Sequence, residues 1–219
     1  MDPHSDIQFR MVTGLKIRPY IPSIARLRVE IFQEPPYHMD SEFRDEMLFL
    51  EKYPLAKDSV AILVFDRGAL IGSAVGIPLA KETDEFLKPF KEHHLTPSTY
   101  YHFGESILLK NYRGRGIYHH FFDLREEHVN KLKTYDHICF CHIDHPASEM
   151  ESYHLHDFWR KRGYVQYPDM KCELSWKTPE EKTRSSKFLS YWIKFIECQT
   201  TAKTLHASDN RPLKDDRSL

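Results

Sequence analysis

Residues 113–116 read Arg-Gly-Arg-Gly, a combination that could bind an anion. Glycines let the backbone turn tightly and approach a ligand closely. If a helix begins directly after them, its first N–H groups lack partners within the helix and attract phosphate oxygens. A helix-capping loop with solvated arginines explains the tetrapeptide equally well. The segment is neither a Walker loop, because no Gly-Lys-Ser/Thr follows, nor a G-x-G-x-x-G dinucleotide fingerprint.

A second group of side chains with metal-binding chemistry comprises Cys139, Cys141, His142 and His145. On a strand, Cys139 and Cys141 share one face while His142 points to the other, so these side chains do not converge on one ion. We therefore predict ordinary strand cysteines and no metal. Asp144 and His145 follow that strand, where they would either line a polar substrate pocket or cap a loop.

The composition excludes several classes of protein. The 219 residues carry a formal net charge of -1, which argues against a general nucleic-acid binder. No stretch approaches the ~18 apolar residues of a membrane-spanning helix, and the N-terminal residues lack the apolar core of a signal peptide. The four cysteines suggest no disulfide framework. We expect a cytoplasmic protein that binds neither nucleic acid nor membrane.

Hydrophobic spacing and turn residues predict alternating strands and helices. Predicted strands cover residues 14–20, 60–65, 70–79, 100–110, 138–143, 164–167 and 170–177. The first predicted helix begins after the capping residue Ser23. Four further predicted helices cover about residues 41–53, 81–94, 117–133 and 153–162. This order predicts an α/β protein with a mixed sheet and helices on both faces. We expect one domain over residues 1–199 and a polar, disordered tail over 200–219.

The predicted strand 100–110 leads into the Arg-Gly-Arg-Gly turn and carries a carboxylate, Glu105. The period of two places these residues on one face: Tyr101, Phe103, Glu105, Ile107 and Leu109. Considered alone, Glu105 would be a strand carboxylate held in an ion pair.

Several motifs resemble the GCN5-related N-acetyltransferase (GNAT) superfamily, in the family's order. Arg113, Gly116 and Tyr118 fall in the register of its central motif, Arg/Gln-x-x-Gly-x-Gly/Ala, although Tyr118 departs from the usual small residue. Three further segments resemble the family's strand before the loop, a later helix end and the first helix: 105–113, 158–164 and 28–34. The resemblance covers roughly residues 14–176, and later pieces indicate a bacterial subgroup without an assigned substrate.

The resemblance implies a mostly antiparallel central sheet that is splayed at its central strands. It also implies acetyl-CoA as co-substrate, with the pyrophosphate on the backbone amides of the turn and no metal. The pantetheine would lie between residues 107–109 and the strand 139–143. The residues that the resemblance places around the cofactor are Ile107, Leu108, Leu109, Arg113, Gly114, Arg115, Gly116, Ile117, Tyr118, Phe158 and Trp159.

The implied enzyme is an N-acetyltransferase that transfers the acetyl group directly to a primary amine of a small molecule or amino acid. Such an amine has a pKa of about 10.4, so a base must take its proton. Glu105 matches the family's strand carboxylate and would act through a water. Trp159 stands where the family often has a Tyr that protonates the thiolate, so Tyr153 is the substitute acid. Candidate acceptor-binding residues are Glu34, Asp144 and His145.

Two alternatives remain open. The acceptor could be a protein lysine or N-terminus, although a lid at residues 81–95 would favour a small substrate. The chain could also be an acyl-CoA-binding sensor without turnover, because Trp159 cannot supply the proton that a Tyr would. The sequence leaves a homodimer open as well.

Overall fold

A computed structural model describes residues 6–143 and 150–196, without the side chains of residues 150–154. Its strands are β1 (Ile7–Thr13), β2 (Val60–Asp66), β3 (Ala69–Pro78), β4 (Tyr100–Leu108), β5 (His137–Ile143), β6 (Val165–Trp176) and β7 (Ser185–Phe195). Its α-helices are α1 (Ile21–Phe32), α2 (Phe43–Leu50), α3 (Lys52–Leu55), α4 (Asp84–Glu92), α5 (Ile117–Leu132) and α6 (Met150–Lys161). The predicted tail at 200–219 lies outside this part of the chain.

These strands form one sheet in the order β1-β2-β3-β4-β5-β7-β6. Every neighbouring pair is antiparallel except β4 and β5. These two central strands pair only between Tyr100–His102 and His137–Cys139. Beyond that point they run to Leu108 and Ile143 without pairing to each other, which leaves a gap between them. The predicted mixed, mostly antiparallel and centrally splayed sheet is confirmed.

Helices cover both faces of the sheet, because the central strands are apolar on both sides. Along β2, Ile62 and Val64 pack toward α5, while Ala61 and Leu63 pack toward α1. All four side chains are fully buried. A strand that is buried on both faces reads as a continuous apolar run, and the sequence at 60–65 has that form. The sheet is therefore a rigid middle layer that can fix the position of side chains on β4.

Strand β4 carries one more residue than its partner β3. Ala74 pairs with Ser106 and Gly76 with Phe103, so Gly104 and Glu105 together face a single residue of β3. This is a β-bulge, and it reverses the faces that the following side chains occupy.

The bulge contradicts the single face predicted for strand 100–110. Tyr101 and Phe103 lie on the α5 side, where the Phe103 ring is 5.9 Å from that of Phe122. Glu105 and Ile107 lie on the α1 side. A strict period of two fails here because the extra residue shifts the alternation by one.

Two other predicted elements are wrong. Residues Gly14–Tyr20 form a 3-10 helix rather than the first strand, with Gly14 at φ 51 and Pro19 inside the helix. The two predicted closing strands are one strand, β6, with an irregularity between Tyr167 and Lys171. Pro168 lies at this irregularity, and a proline has no N–H to contribute to the ladder.

Gly104 permits close packing at the bulge. A Cβ atom there would lie 2.5 Å from the Tyr53 hydroxyl oxygen and 2.9 Å from Val75 Cγ2. We expect Gly104→Ala to lower the free energy of unfolding, measured in urea, by about 1–3 kcal/mol because the core is overpacked. In a Tyr53→Phe background the hydroxyl is absent, so the loss should be smaller. An equal loss in both backgrounds would contradict the predicted contact.

Candidate active site

The glycine turn, residues 113–116, lies between the end of β4 and the start of α5. Gly114 and Gly116 adopt left-handed φ values of 72° and 81°. A Cβ atom at either glycine would meet nothing within 4 Å, so the space over the turn is open. Gly116 is the N-cap of the 16-residue helix α5, and no side chain caps that end. The His119 amide donates to the Gly116 carbonyl oxygen at 3.0 Å, so the amides of Ile117 and Tyr118 are the ones at the start of α5 that can bind an external acceptor. The helix dipole favours an anion there.

The two arginines of the turn have different surroundings. Arg113 Nε donates to the carbonyl oxygen of Leu108 at 3.0 Å, and its Nη1 lies 2.7 Å from Glu34 Oε2. The Arg115 guanidinium lies 5.2 Å from the ring centroid of Tyr112 and is otherwise exposed. Glu34 balances the charge of Arg113, so attraction for an anion comes from the backbone amides and Arg115.

An aromatic cluster joins α5 and α6 beside the gap. The Tyr118 ring lies 5.3 Å from that of Phe122 and 5.4 Å from that of Phe158. Trp159 is 2% exposed and packs against Phe140 of β5 at 4.9 Å. Thus Tyr118 packs between the two helices, and no atom of its ring reaches a Cβ position on the glycine turn. Ile107 and Leu108 are buried on opposite faces of β4. Leu109 packs against the buried apolar side chains on both of these faces.

A cavity of about 1360 Å³ opens on the face of the sheet opposite α5. Its wall includes residues from α1, α2, α4, β4 and β6, and it reaches both Glu105 of β4 and Cys141 of β5. Ten of its lining residues are Asp or Glu and five are Lys or Arg. The excess of carboxylates favours a cationic ligand. Glu34 is not among the lining residues, so the structure places it at the glycine turn instead.

Glu105 belongs to a buried ion-pair group in this cavity. Its Oε1 lies 2.6 Å from Arg28 Nη1, and Arg28 also pairs with Glu46 of α2. The three side chains are 10%, 6% and 5% exposed. Burial alone would lower the pKa of Arg28, but the two carboxylates outweigh it and raise the pKa above its ordinary value. The group therefore contains one permanent cation and two carboxylates.

Glu82 and His102, which line the same cavity, belong to a second polar group that includes Lys52. Glu82, 1% exposed, lies 2.5 Å from Lys52 Nζ and 3.0 Å from His102 Nδ1. Burial alone would raise the pKa of Glu82, but the hydrogen bond with His102 and the charge of Lys52 lower it to about 2. An ionised carboxylate only accepts, so the Nδ1–H of His102 donates to Glu82.

Sequence reasoning missed Arg28, Glu46, Lys52, Glu82 and His102. These five residues come from separate elements that only the tertiary fold brings together. The available signal was a histidine within the apolar run of β4 and an arginine on the buried side of α1. Arg28 begins the segment 28–34 that resembles the family's first helix, but that resemblance gave it no role at the site, and His102 belongs to none of the motifs.

The remaining predicted residues are only partly described. Tyr153 lies on α6, but its side chain is outside the described part, and Asp144 and His145 lie outside it altogether. Cys139 and Cys141 pack on one side of β5, whereas the His142 ring contacts Trp159 on the other at 4.9 Å.

Within residues 6–143 and 150–196, no three or more His, Cys, Asp or Glu side chains form a group that could hold a metal ion. Among the helices of the same residues, none is long and apolar enough to cross a membrane.

Arg28 holds two buried carboxylates in place, and its loss would leave both unpaired. We expect Arg28→Met to lower the free energy of unfolding by about 3–5 kcal/mol, measured by chemical denaturation. Arg18→Met is the matched control, because Arg18 is 56% exposed and 4.0 Å from Glu51. It should change stability by less than about 0.5 kcal/mol. Similar losses for the two variants would refute the structural role of the buried group.

No protein-family model matches the sequence, and the comparison with curated proteins finds no match either. The fold, in contrast, is similar to many solved structures. A GNAT-family acetyltransferase from Streptococcus pneumoniae superposes with a TM-score of 0.54 at 11% identity, over 87% of this chain and 100% of that one.

Two other neighbours carry more specific names. Ribosomal-protein-alanine N-acetyltransferase from Brucella melitensis has a TM-score of 0.54 at 14% identity, over 86% of this chain and 99% of its own. Arabidopsis thaliana NAA60, solved with a bisubstrate analogue, has a TM-score of 0.54 at 14% identity, over 87% of this chain and 99% of its own. At these identities the likeness concerns architecture, and the chain has the fold of the GNAT-family acetyltransferases.

Proposed function

We propose that the chain is a GNAT-family N-acetyltransferase that transfers an acetyl group from acetyl-CoA to an amine bound in the cavity. One observation carries this proposal. The cavity reaches Glu105 and Cys141, which belong to the two strands that part to form the gap. The gap therefore brings together two sites, the open glycine turn and a negatively charged cavity. A thioester at this point would face an amine directly.

Coenzyme A fits the residues present. Its pyrophosphate would accept hydrogen bonds from the amides of residues 114–118, with Arg115 adding positive charge. Its pantetheine would run along β4 at Ile107–Leu109, where β5 no longer pairs. The departure at Tyr118 is compatible with this placement, because its ring packs toward Phe122 and Phe158. When bound, acetyl-CoA supplies the electrophilic thioester carbonyl.

The acceptor is proposed to be a primary amine of a small molecule or amino acid. An ammonium group would be attracted by the carboxylates of the cavity, and Glu105 lies where a water could relay its proton. The amine nitrogen then forms a bond to the acetyl carbon while the carbon–sulfur bond breaks. A thiolate is a fair leaving group, with a thiol pKa of about 8.5, so Trp159 need not donate a proton. Tyr153 remains the proposed acid.

The fixed position of α4 in the cavity wall supports a small acceptor. Helix α4 and the turn before it occupy most of the predicted lid segment and line the cavity. Phe90 is fully buried, and the Tyr191 hydroxyl donates to the carbonyl oxygen of Phe86 at 2.9 Å, so α4 is anchored to β7. A fixed wall favours a small acceptor over a protein segment. The alternative protein acceptor would require an open groove.

The test of this proposal is release of free thiol from acetyl-CoA in the presence of a panel of amines. The panel should contain diamines, amino acids and a peptide with a free N-terminus. We expect amine-dependent thiol release, with a small cationic amine preferred over the peptide. Tight acetyl-CoA binding without thiol release, even at high protein concentration, would favour the non-catalytic sensor and contradict acetyl transfer.

Gly116→Glu tests the proposed pyrophosphate site. The substitution puts bulk and negative charge in the open space over the turn, so we expect coenzyme A binding to be lost in calorimetry. Gly163→Glu is the control, because Gly163 also has a left-handed φ, 88°, and has only Lys194 Cε at 3.9 Å near a Cβ position. Unchanged affinity in the Gly116 variant would refute the placement.

Glu105→Gln tests the acceptor side separately. We expect coenzyme A affinity to stay constant while kcat/KM for the amine falls by about 10²–10⁴-fold, because the carboxylate charge is lost. The solvent-exposed Glu30 of α1 provides the control, and Glu30→Gln should leave both quantities unchanged. If Glu105→Gln retains full kcat/KM, this carboxylate takes no part in the reaction.

A further inference from the structure

We infer that His102, oriented by Glu82, accepts the proton that the acceptor ammonium must lose before it attacks the thioester. This inference rests on the proposed N-acetyltransferase function and concerns the cavity side of that site. It gives a role to a buried titratable pair outside the Glu105 group, and it assigns the substrate class as an amine that binds in its cationic form.

The hydrogen bonding of His102 leaves one ring nitrogen available. The Nδ1–H donates to Glu82, so in the neutral ring Nε2 carries the lone pair. Nε2 is buried and has no hydrogen-bond partner among the described residues, and the residue as a whole is 2% exposed. Buried polar atoms without partners are uncommon in folded proteins and call for an explanation. A proton acceptor in the cavity wall is such an explanation.

The position of His102 is also suited to the reaction. It pairs with Cys139 at the last point where β4 and β5 are joined, directly before the gap opens. It lines the cavity together with Tyr53, whose buried hydroxyl oxygen also has no hydrogen-bond partner among the described residues. Two unpartnered polar atoms around one cavity indicate a polar ligand rather than an apolar one.

The buried charges of the cavity wall favour a cation. Two cations, Arg28 and Lys52, balance only two of three carboxylates, so one negative charge remains while His102 is neutral. The carboxylates are Glu46, Glu82 and Glu105. An ammonium group would neutralise this charge on binding. Proton transfer from the ammonium to His102 would then keep the net charge at zero, so no additional buried charge is created.

The groups around His102 do not compete for this proton. Burial is the largest cause that raises the pKa of Tyr53, Tyr191 and Cys139 well above their ordinary values. These three groups stay protonated near neutral pH and have no vacancy for a proton. Glu82 and Lys52 are already paired with each other. Glu105 is paired with Arg28, and in the proposed reaction it helps a water to relay the proton toward His102.

The reaction step balances as follows. The ammonium N–H bond breaks and its proton moves to His102 Nε2, giving a neutral amine and an imidazolium that donates to Glu82. The amine nitrogen attacks the acetyl carbon, the carbon–sulfur bond breaks, and the second N–H proton leaves with the thiolate as thiol. His102 then releases its proton to water, so each turnover yields an amide, a thiol and one proton.

His102→Asn is the variant of choice, because the Asn amide can still donate to Glu82 but has no basic nitrogen. With the amine preferred by the wild type, we expect kcat to fall by about 10²–10⁴-fold while KM for acetyl-CoA is unchanged. Imidazole added to His102→Ala should restore part of the rate, which a purely structural role would not allow. Glu82→Gln, a positioning variant, should lower kcat less than His102→Asn does.

The exposed His94, with φ 55, provides the matched control, since Asn tolerates this conformation. His94→Asn should keep the wild-type rate. Full activity of His102→Asn beside an active wild type would overturn the role of His102 and leave acetyl transfer intact. A rate loss in His102→Ala without imidazole rescue, accompanied by weaker acetyl-CoA binding, would also overturn it. Absence of thiol release from the wild type would instead overturn the proposed function itself.

Discussion

Three residue pairs hold β4 beside β5, and the proposed site depends on the point where this pairing ends. If the two strands stayed paired to their ends, the sheet would separate the glycine turn from the cavity. Because they part after His102 and Cys139, a ligand anchored at the turn can reach the opposite face of the sheet. The bulge at Gly104 and Glu105 lies just past this point and turns a carboxylate toward the cavity. Backbone pairing thus sets the chemistry that the side chains can perform.

The cavity side is organised by buried charges rather than by apolar packing. Removing charges from water is unfavourable unless each one is paired. Arg28 and Lys52 can therefore balance only two buried carboxylates. They leave one of the three buried carboxylates without a balancing cation, and among the described residues the Tyr53 hydroxyl and His102 Nε2 have no hydrogen-bond partner. Such an arrangement costs stability in the free protein, and a bound ammonium would offset that cost. In the proposed reaction the second substrate is acetyl-CoA, bound at the glycine turn.

The sequence predicted much of this architecture because periodicity and turn chemistry are local. The glycine turn, α5 and the β2–β3 hairpin all follow from nearby residues, and the motif around Arg113 led to the correct fold. The position of the bulge, at Gly104 and Glu105, could not be predicted from the residues, since it is set by the register in which β4 pairs with β3 in the folded chain. The Glu82–His102 pair was missed for the same reason, because its members lie 20 residues apart and meet only in the folded chain. Glu34 was assigned to the acceptor, but the structure pairs it with Arg113.

The most direct measurement is a crystal structure of the protein with acetyl-CoA. We expect pyrophosphate oxygens within hydrogen-bond distance of the amides at the start of α5, and a pantetheine that runs between β4 and β5. We also expect the thioester carbonyl at the mouth of the cavity, between Glu105 and Cys141. Acetyl-CoA bound elsewhere, or a pantetheine that does not enter the gap between β4 and β5, would contradict this placement.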